Sequence, residues 1–572
     1  MKKAENFVRL TLAPFSRRGS FMAFFMANGG SEEFGKADLW LGNTRGGGSL
    51  NTTLRQMKMD LVKDGRKLPA VVSSTPYEVI LDSDYGSVRF CIGERKLVRC
   101  KGTDGLTLRI TCAGNGAQNM MDGTWLSDFG KSDMLLIPFK GKLVRKGGFE
   151  LEPDEAGEID MVFEEYLIDP IHRPLEDYPS YEQCVAAVKA DFDSFAEAVC
   201  PKLPEPWEER RLQAAWTTWG LMCDPDGETI IKHTVVKMLR GIFEHISGWQ
   251  QGMQAIFLSR DIKLAWDILM SCFDYQDANG RIADIYDDEK PVRIAMKPPF
   301  QGIALLWLME NRDLSCISVE EKKRCYERMS AWTEFFFKCR DFDKDGLWEN
   351  KGAVETGWED APYFYVGFPL ASPDMNAYLA LQMEALGKLG KELGEPGAEK
   401  WLERSKATVD KIVEKFWTGD RWIAFNAETG AKSNTESLPL FAALILGKRL
   451  PQDIIDKSIE YIFAPGTFET PFGLASESLQ SKFYCGGWCQ GSVVTPAQFI
   501  FCLAFEACGR RDLSVRVAKE YLSMMKENGY YHMNSAVTGK GEDRAVLGDE
   551  KTSYWSSWTT SCYLFLADRY GE

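Results

Sequence analysis

Histidine is scarce in this chain of 572 residues, with four copies at His172, His233, His245 and His532. No two of them share a metal-ligand spacing with a carboxylate on one helical face, which argues against a zinc hydrolase. Paired Cys-x-x-Cys motifs are missing too. The 15 cysteines are an odd, scattered set, and the close pair Cys485 and Cys489 has no second pair at zinc spacing, so reduced thiols and a cytoplasmic setting are the simplest account. A Gly-x-Ser-x-Gly nucleophile elbow and a Walker phosphate loop are both absent. No long Lys/Arg run interrupts a net charge of −15 with a pI near 5.1, which disfavours nucleic acid or an anionic membrane as partner. Long apolar runs are lacking as well. Met1 to Phe7 is polar where a secretory core would begin, and Phe21 to Ala27 is too short to cross a bilayer.

What remains is the composition of an ordinary globular protein, 45% hydrophobic and 26% charged, in a chain long enough for two or more domains. Aromatic residues make up 12%, with 17 Trp. That content suits flat surfaces for stacking sugars, although large cores use the same residues.

The organisation changes once along the chain. Residues 1–190 carry short alternating runs, Val8 to Leu12, Tyr77 to Leu81, Ser87 to Ile92 and Leu106 to Ile110, broken by Gly, Asp and Asn. Period-two alternation of this kind predicts antiparallel strands and a β-sandwich. Residues 191–572 read as helices: apolar residues at helical spacing begin in Tyr181 to Val199 and Trp207 to Met222, continue through His233 to Ile246, and recur to Ser556 to Arg569. About a dozen helices without a strict repeat fit a bundle or a barrel of paired helices better than a solenoid. Long loops rich in Gly, Trp and Tyr join them, among them Gly248 to Gly252, Arg340 to Pro362, Tyr484 to Gly491 and Gly529 to Asp549. Loops of such length are more often functional than accidental.

One stretch, Val354 to Pro362, concentrates Glu355, Trp358, Glu359 and Asp360 between two helical segments. It offers a carboxylic acid and an aromatic surface, two of the things glycoside cleavage needs, and it also fits a plain solvated helix entry with Pro362 at the first turn. Upstream, Asp341, Asp343 and Asp345 with Gly346 resemble the start of a calcium loop, but the twelfth position is Gly352, so the expectation is an Asp-rich turn leading into the active loop without a metal, with bound calcium as the alternative. Gly473 to Glu477 and Tyr530 to Asn534 read as capping or pocket-wall segments.

Taken in order, Asp343-Lys344-Asp345-Gly346-Leu347, Glu355-Thr356-Gly357-Trp358-Glu359-Asp360-Ala361-Pro362, Ser372-Pro373-Asp374-Met375-Asn376-Ala377, Ser437 to Ala442 and Thr470 to Leu474 resemble the motifs of inverting glycosidases. The families concerned are the trehalases, the processing alpha-glucosidases (mannosyl-oligosaccharide glucosidases) and the mannosylglycerate hydrolases. The resemblance covers roughly residues 200 to 572 and implies an (α/α)6 barrel acting on a carbohydrate, with no cofactor. It places the general acid on Glu359, with Asp360 exchanged for it by a one-residue loop shift. Sugar contacts fall on Glu355, Trp358, Trp249, Gln250, Trp488 and Gln490, and the position of the base falls on His532. Gln250 and Gln490 stand where the family pattern has Asp and Arg, which implies an altered sugar contact set.

Three mechanisms stay open on this reading. An inverting hydrolase would use neutral His532, or a shifted acid such as Glu477, Glu542 or Asp543, to deprotonate water. A phosphorylase would need no base, because inorganic phosphate is already an anion. A degenerate barrel would bind a glycan without cleaving it. The reading adopted is a glycosidase that removes a terminal sugar from a small glycoside or oligosaccharide.

Overall fold

The computed structural model describes residues 6–27, 38–46, 55–114, 116–239, 246–293, 296–541 and 555–572. Two antiparallel sheets form the N-terminal part. Among the described residues one sheet runs Met22–Ala27, Asp38–Asn43, Arg55–Lys63, Thr107–Cys112, Phe149–Glu152, Lys142–Arg145, with Arg66–Lys67 paired to the third strand. The other runs Ala117–Asn119, Trp125–Asp128, Asp133–Lys140, Ile159–Tyr166, Leu97–Gly102, Gly86–Glu94, Val79–Ser83, Val71–Ser74. Alternation explains their faces: Val79 and Leu81, and likewise Leu108 and Ile110, are buried while their neighbours in sequence point outward. The expected strands near 79, 88 and 108 are present. Val8 to Leu12 is not a strand, because the Leu12 and Ala13 N–H groups both turn back to the Arg9 carbonyl. The apolar side chains of this segment are buried by docking, with Phe7 and Phe15 against Trp216 at 5.8 and 5.3 Å, and not by sheet pairing.

The helices follow in chain order as α1 (Tyr181–Val199), α2 (Glu208–Gly220), α3 (Gly248–Phe257), α4 (Ile262–Ser271), α5 (Phe300–Asn311) and α6 (Val319–Cys339). After them come α7 (Pro373–Leu393), α8 (Ala398–Phe416), a kinked 3-10 segment Leu438–Arg449, α9 (Gln452–Ile462), α10 (Thr495–Ala507), α11 (Arg511–Asn528) and α12 (Ser557–Tyr570). Helix α1 starts at a capping box in which Ser180 Oγ accepts from the Gln183 N–H and Gln183 Oε1 accepts from the Ser180 N–H. It packs its Cys184 and Phe192 face on the strand Gly86–Glu94.

Six elements form a closed ring: α3 touches α5, α5 touches α7, α7 touches Leu438–Arg449, that segment touches α10, α10 touches α12, and α12 returns to α3. These inner elements are buried nearly all round. The outer helices α2, α4, α6, α8, α9 and α11 lie against them, with an apolar stripe such as Trp401, Val409, Ile412 and Phe416 on α8 turned inward. An alternation of inner and outer helices closed on itself is an (α/α)6 barrel. Glycines set the close approaches within the ring. A Cβ on Gly252 would sit 3.1 Å from the Phe300 backbone, and one on Gly302 would sit 2.3 Å from Gln382 Cα.

Two further expectations fail in the helical part. Gly248 to Gly252 is the first turn of α3 and not a loop, because Gln250, Gln251 and Gln254 find buried partners inside the ring. His233 to Ile246 is not a helix in its described part. Val235–Val236 pairs with Met222–Cys223, and the preceding turn is held by Thr234 N–H to Asp267 and by His233 to Asp274 at 2.8 Å. His245 lies outside the described residues.

The connections have a polarity that decides where a site can be. Inner-to-outer links are short, as in 258–261, 312–318 and 394–397. Outer-to-inner links are long: 221–247, 272–299, 340–372, 417–437, 463–494 and 529–556. The described parts of all six long links therefore gather at the N-terminal ends of the inner elements, over one mouth of the barrel.

Candidate active site

The link 340–372 is folded by a short pairing of Glu349–Asn350 with Leu370–Ala371, followed by 3-10 turns at Ala353–Thr356 and Pro362–Val366. Between those turns Gly357 adopts φ +74°, and a Cβ there would lie 1.9 Å from the Trp249 ring. Only glycine lets this turn press on α3. The contact builds a spine of indoles, with Trp249 edge-on to Trp358 at 5.3 Å and to Trp558 at 5.4 Å.

That spine lies beneath the mouth and not in it. Trp358 is 0% exposed, Trp249 is buried, and Gln250 is buried with Nε2 donating to Ser557 Oγ at 2.9 Å. The expectation that Trp249, Trp358 and Gln250 touch a sugar is corrected on this ground: α3 is an inner helix whose whole circumference is packed. Glu355 is corrected likewise. It is 1% exposed, with Oε1 2.6 Å from Arg340 Nη2 and Oε2 accepting from the Lys351 N–H at 2.9 Å, so it braces the loop.

Glu359 is different. Its side chain is 38% exposed, with Oε1 2.7 Å from Lys297 Nζ and Oε2 accepting from Trp488 Nε1 at 3.0 Å. Lys297 also donates to the Val354 carbonyl at 2.8 Å. Trp488 in turn stacks on His532, with ring centroids 4.4 Å apart and planes 18° apart, and His532 also meets Trp558, tilted by 35° with centroids 5.4 Å apart. Two distant segments are thus strapped together. Asp360 Oδ1 accepts from the Cys489 N–H at 2.7 Å, and Gln490 Nε2 donates to the Asp360 carbonyl at 2.7 Å and to Tyr365 Oη at 3.2 Å. Gln490 is therefore a strap between loops, while Trp488 and Glu359 are presented at the mouth.

Charge follows from these contacts. Desolvation pushes the Glu359 carboxyl upward, but the Lys297 ammonium, its hydrogen bond and the Trp488 indole outweigh it and hold Glu359 below the usual carboxylate range. Asp360 is shifted the other way, by burial first and then by the Glu359 charge, against the pull of the Cys489 N–H. Burial lowers the His532 imidazole to about 4, and its buried Nδ1 has no hydrogen-bond partner. Asp284, in the link 272–299, is nearly buried with an unpartnered Oδ1, and burial raises its pKa while Lys297 opposes the shift. Lys297 and Asp284 were missed by sequence reasoning. The available signal was position: Lys297-Pro298-Pro299 stands directly before α5, at the same end as the other long links.

Comparison with known proteins bears on this arrangement. A family model, the mannosylglycerate hydrolase MGH1-like glycoside hydrolase domain, matches residues 244–554, more than half of the chain. The chain belongs to this family. No curated protein sequence matches it. Among solved structures, the GH63 mannosylglycerate hydrolase from Thermus thermophilus in complex with Tris is 17% identical with a TM-score of 0.51, covering 58% of this chain and 95% of that one. A bacterial glucoamylase complexed with acarbose is 10% identical with a TM-score of 0.60, covering 98% of this chain and 94% of that one. The second likeness extends through the sandwich as well as the barrel. The protein is a glycoside hydrolase with an N-terminal β-sandwich and an (α/α)6 barrel, and its substrate is a carbohydrate.

Within this hydrolase the remaining candidate bases are not equivalent. Glu477 is fully buried, with Oε2 accepting from Ser437 Oγ and Oε1 from Ser481 Oγ, both at 2.5 Å, and it ties 437 to 477. Glu542 and Asp543 lie outside the described residues. His532, stacked on one indole and tilted against another, with a conjugate acid near pKa 4, is neutral at physiological pH and a weaker base than a free imidazole.

Proposed function

We propose that this glycoside hydrolase removes a terminal sugar from a small glycoside or oligosaccharide with inversion at the anomeric carbon, Glu359 serving as general acid. One observation carries the reading: Glu359 is the carboxylate presented at the mouth beside an aromatic wall, whereas Glu355 and Glu477 have both oxygens engaged inside loops. Trp488 supports the sugar face, and neutral His532 orients the attacking water and takes its proton as the new C–O bond forms, while Glu359 gives its proton to the departing oxygen. The sandwich, residues 1–190, braces a catalytic barrel, residues 191–572. Fifteen free thiols support a cytoplasmic setting.

An acid must carry a proton, and the Lys297 contact disfavours one. The glycosidic oxygen entering at Glu359 takes the place of the ammonium, which frees the carboxyl to rise and protonate. The pH profile tests this. Activity that depends on a protonated Glu359 is present below its pKa and lost as pH rises through it. The alkaline limb of kcat/KM, which reports free enzyme, therefore lies at lower pH than that of kcat, which reports the complex. Replacing Lys297→Met moves the kcat/KM limb to higher pH and narrows the gap. An acidic limb that moves instead would identify Glu359 as a base.

The activity itself is tested by sugar release from an array that includes mannosylglycerate, alpha-glucosides and alpha-mannosides, with and without phosphate, the first anomer formed being read by NMR. Inverted sugar released without phosphate supports the proposal. Release only with phosphate, or binding without release, overturns it. Trp488→Ala is expected to raise KM by about tenfold, the loss of one stacking face of about 1 kcal/mol or slightly more, with kcat less affected.

A further inference from the structure

The geometry points to a calcium site at the foot of the active loop, formed by Asp341, Asp343, Asp345 and Glu349. Each residue offers one carboxylate oxygen, and the four oxygens lie within 4.8 Å of one another. Ligand oxygens about 2.3–2.6 Å from a calcium ion span up to about 5 Å across it, so the spacing suits a single ion.

The sequence spacing alone falls short of such a site, because the twelfth position is Gly352. The fold supplies the missing acid earlier. The Glu349 N–H donates to the Arg340 carbonyl at 2.8 Å, which turns the strand Glu349–Asn350 back onto the end of α6 and sets Glu349 beside Asp341. Gly346, at φ +86°, makes the sharp turn between them, and the carbonyl of Leu347 stands at the seventh position of the loop.

A second observation separates this cluster from an ordinary acidic turn. Asp341 is 8% exposed, and its Oδ1 has neither a donor nor a cation. Glu349 is 1% exposed and receives one N–H, from Phe342 at 2.7 Å. The nearby lysines do not compensate them: Lys411 donates to the Asp345 backbone carbonyl, and Lys415 Nζ reaches only Asp345 Oδ2, at 3.9 Å. A buried carboxylate left unpaired is costly, and the geometry here gathers three more around it. The donor set is all oxygen, with no His or Cys, which selects a hard cation. The flexible turn suits calcium better than magnesium, which demands a stricter octahedron.

Such an ion would lock the end of α6 to the strand that leads into Ala353–Thr356 and then Glu359. The test uses the full-length enzyme treated with EDTA and then titrated with calcium chloride by calorimetry, alongside thermal unfolding. One calcium per chain with a higher Tm is expected, with magnesium giving a smaller shift. The variant Asp341→Asn/Glu349→Gln should lose both effects while keeping the circular dichroism of the wild type. Wild-type protein showing no saturable binding up to about 10 mM calcium, above the range of weak extracellular sites, would overturn the proposal. So would undiminished binding in the double variant. The readout is binding, so it stands apart from the assignment of Glu359.

Discussion

Glu359→Gln is expected to lower kcat by a factor of about 10²–10⁴ on a glycoside with a poor leaving group, with KM changed little. The substitution keeps the shape of the side chain. Its amide oxygen can still accept from Trp488 Nε1, which in the wild type donates to Glu359 Oε2 at 3.0 Å, so the loop strap through Asp360 and Cys489 stays in place. What is removed is the transferable proton. The loss should therefore shrink on an aryl glycoside whose phenolate departs without protonation, because the acid then has little to contribute. A base role predicts the reverse, an equal loss on both substrates. Asp360→Asn is the necessary comparison, since Asp360 is the adjacent carboxyl and burial favours its protonated form. A larger loss in Asp360→Asn than in Glu359→Gln, on the same substrate, would exchange the two roles. Full activity in Glu359→Gln would remove it from the chemistry altogether.

How far the sequence could carry this assignment is visible in particular residues. Tyr181–Val199 was legible to the residue because a helix packed on one side contrasts a buried stripe with a solvated one. Helix α3 was not, since a helix buried on every side has no such contrast, and its glycines and glutamines serve close packing and internal hydrogen bonds. The same blindness affected the site. Motif order brought 358–360 and 488–490 into consideration together, and the two segments do meet. Which aromatic side chain faces the mouth depends on the rotation of an inner helix and on the φ of Gly357, and neither is written in spacing. Trp249 and Trp358 therefore looked as eligible as Trp488. Lys297 was invisible because a single lysine ahead of two prolines has no pattern, yet its ammonium sets the charge of Glu359. Glu349 escaped because its approach to Asp341 is made by a backbone turn, its N–H bonding the Arg340 carbonyl, which the spacing of the acids does not display.

Arg340→Met is expected to be the most damaging change to the site that touches no substrate. Arg340 Nη2 and Glu355 Oε1 are 2.6 Å apart, with side-chain exposures of 8% and 1%, so the pair is shielded from water and salt. Removing the guanidinium leaves the Glu355 carboxylate buried with only the Lys351 N–H at 2.9 Å, and breaking a buried pair from one side costs about 3–5 kcal/mol. Helix α6 and the ring behind it do not depend on the pair, so the cost should fall on the link 340–372. Hydrogen exchange should show faster exchange across 349–360 with little change in α3 or α10, together with a lower Tm and a loss of kcat like that of Glu359→Gln. The penalty is that of an orphaned charge and not of a lost attraction, and this gives the test its second arm. Replacing both partners, Arg340→Met with Glu355→Leu, removes the charge along with its counterion, and should recover part of the Tm lost in Arg340→Met alone. Recovery of Tm without recovery of kcat would show that the pair positions Glu359 as well as stabilising the loop. A double variant less stable than Arg340→Met would mean that the carboxylate is held by its backbone contact and that the guanidinium acts chiefly by packing.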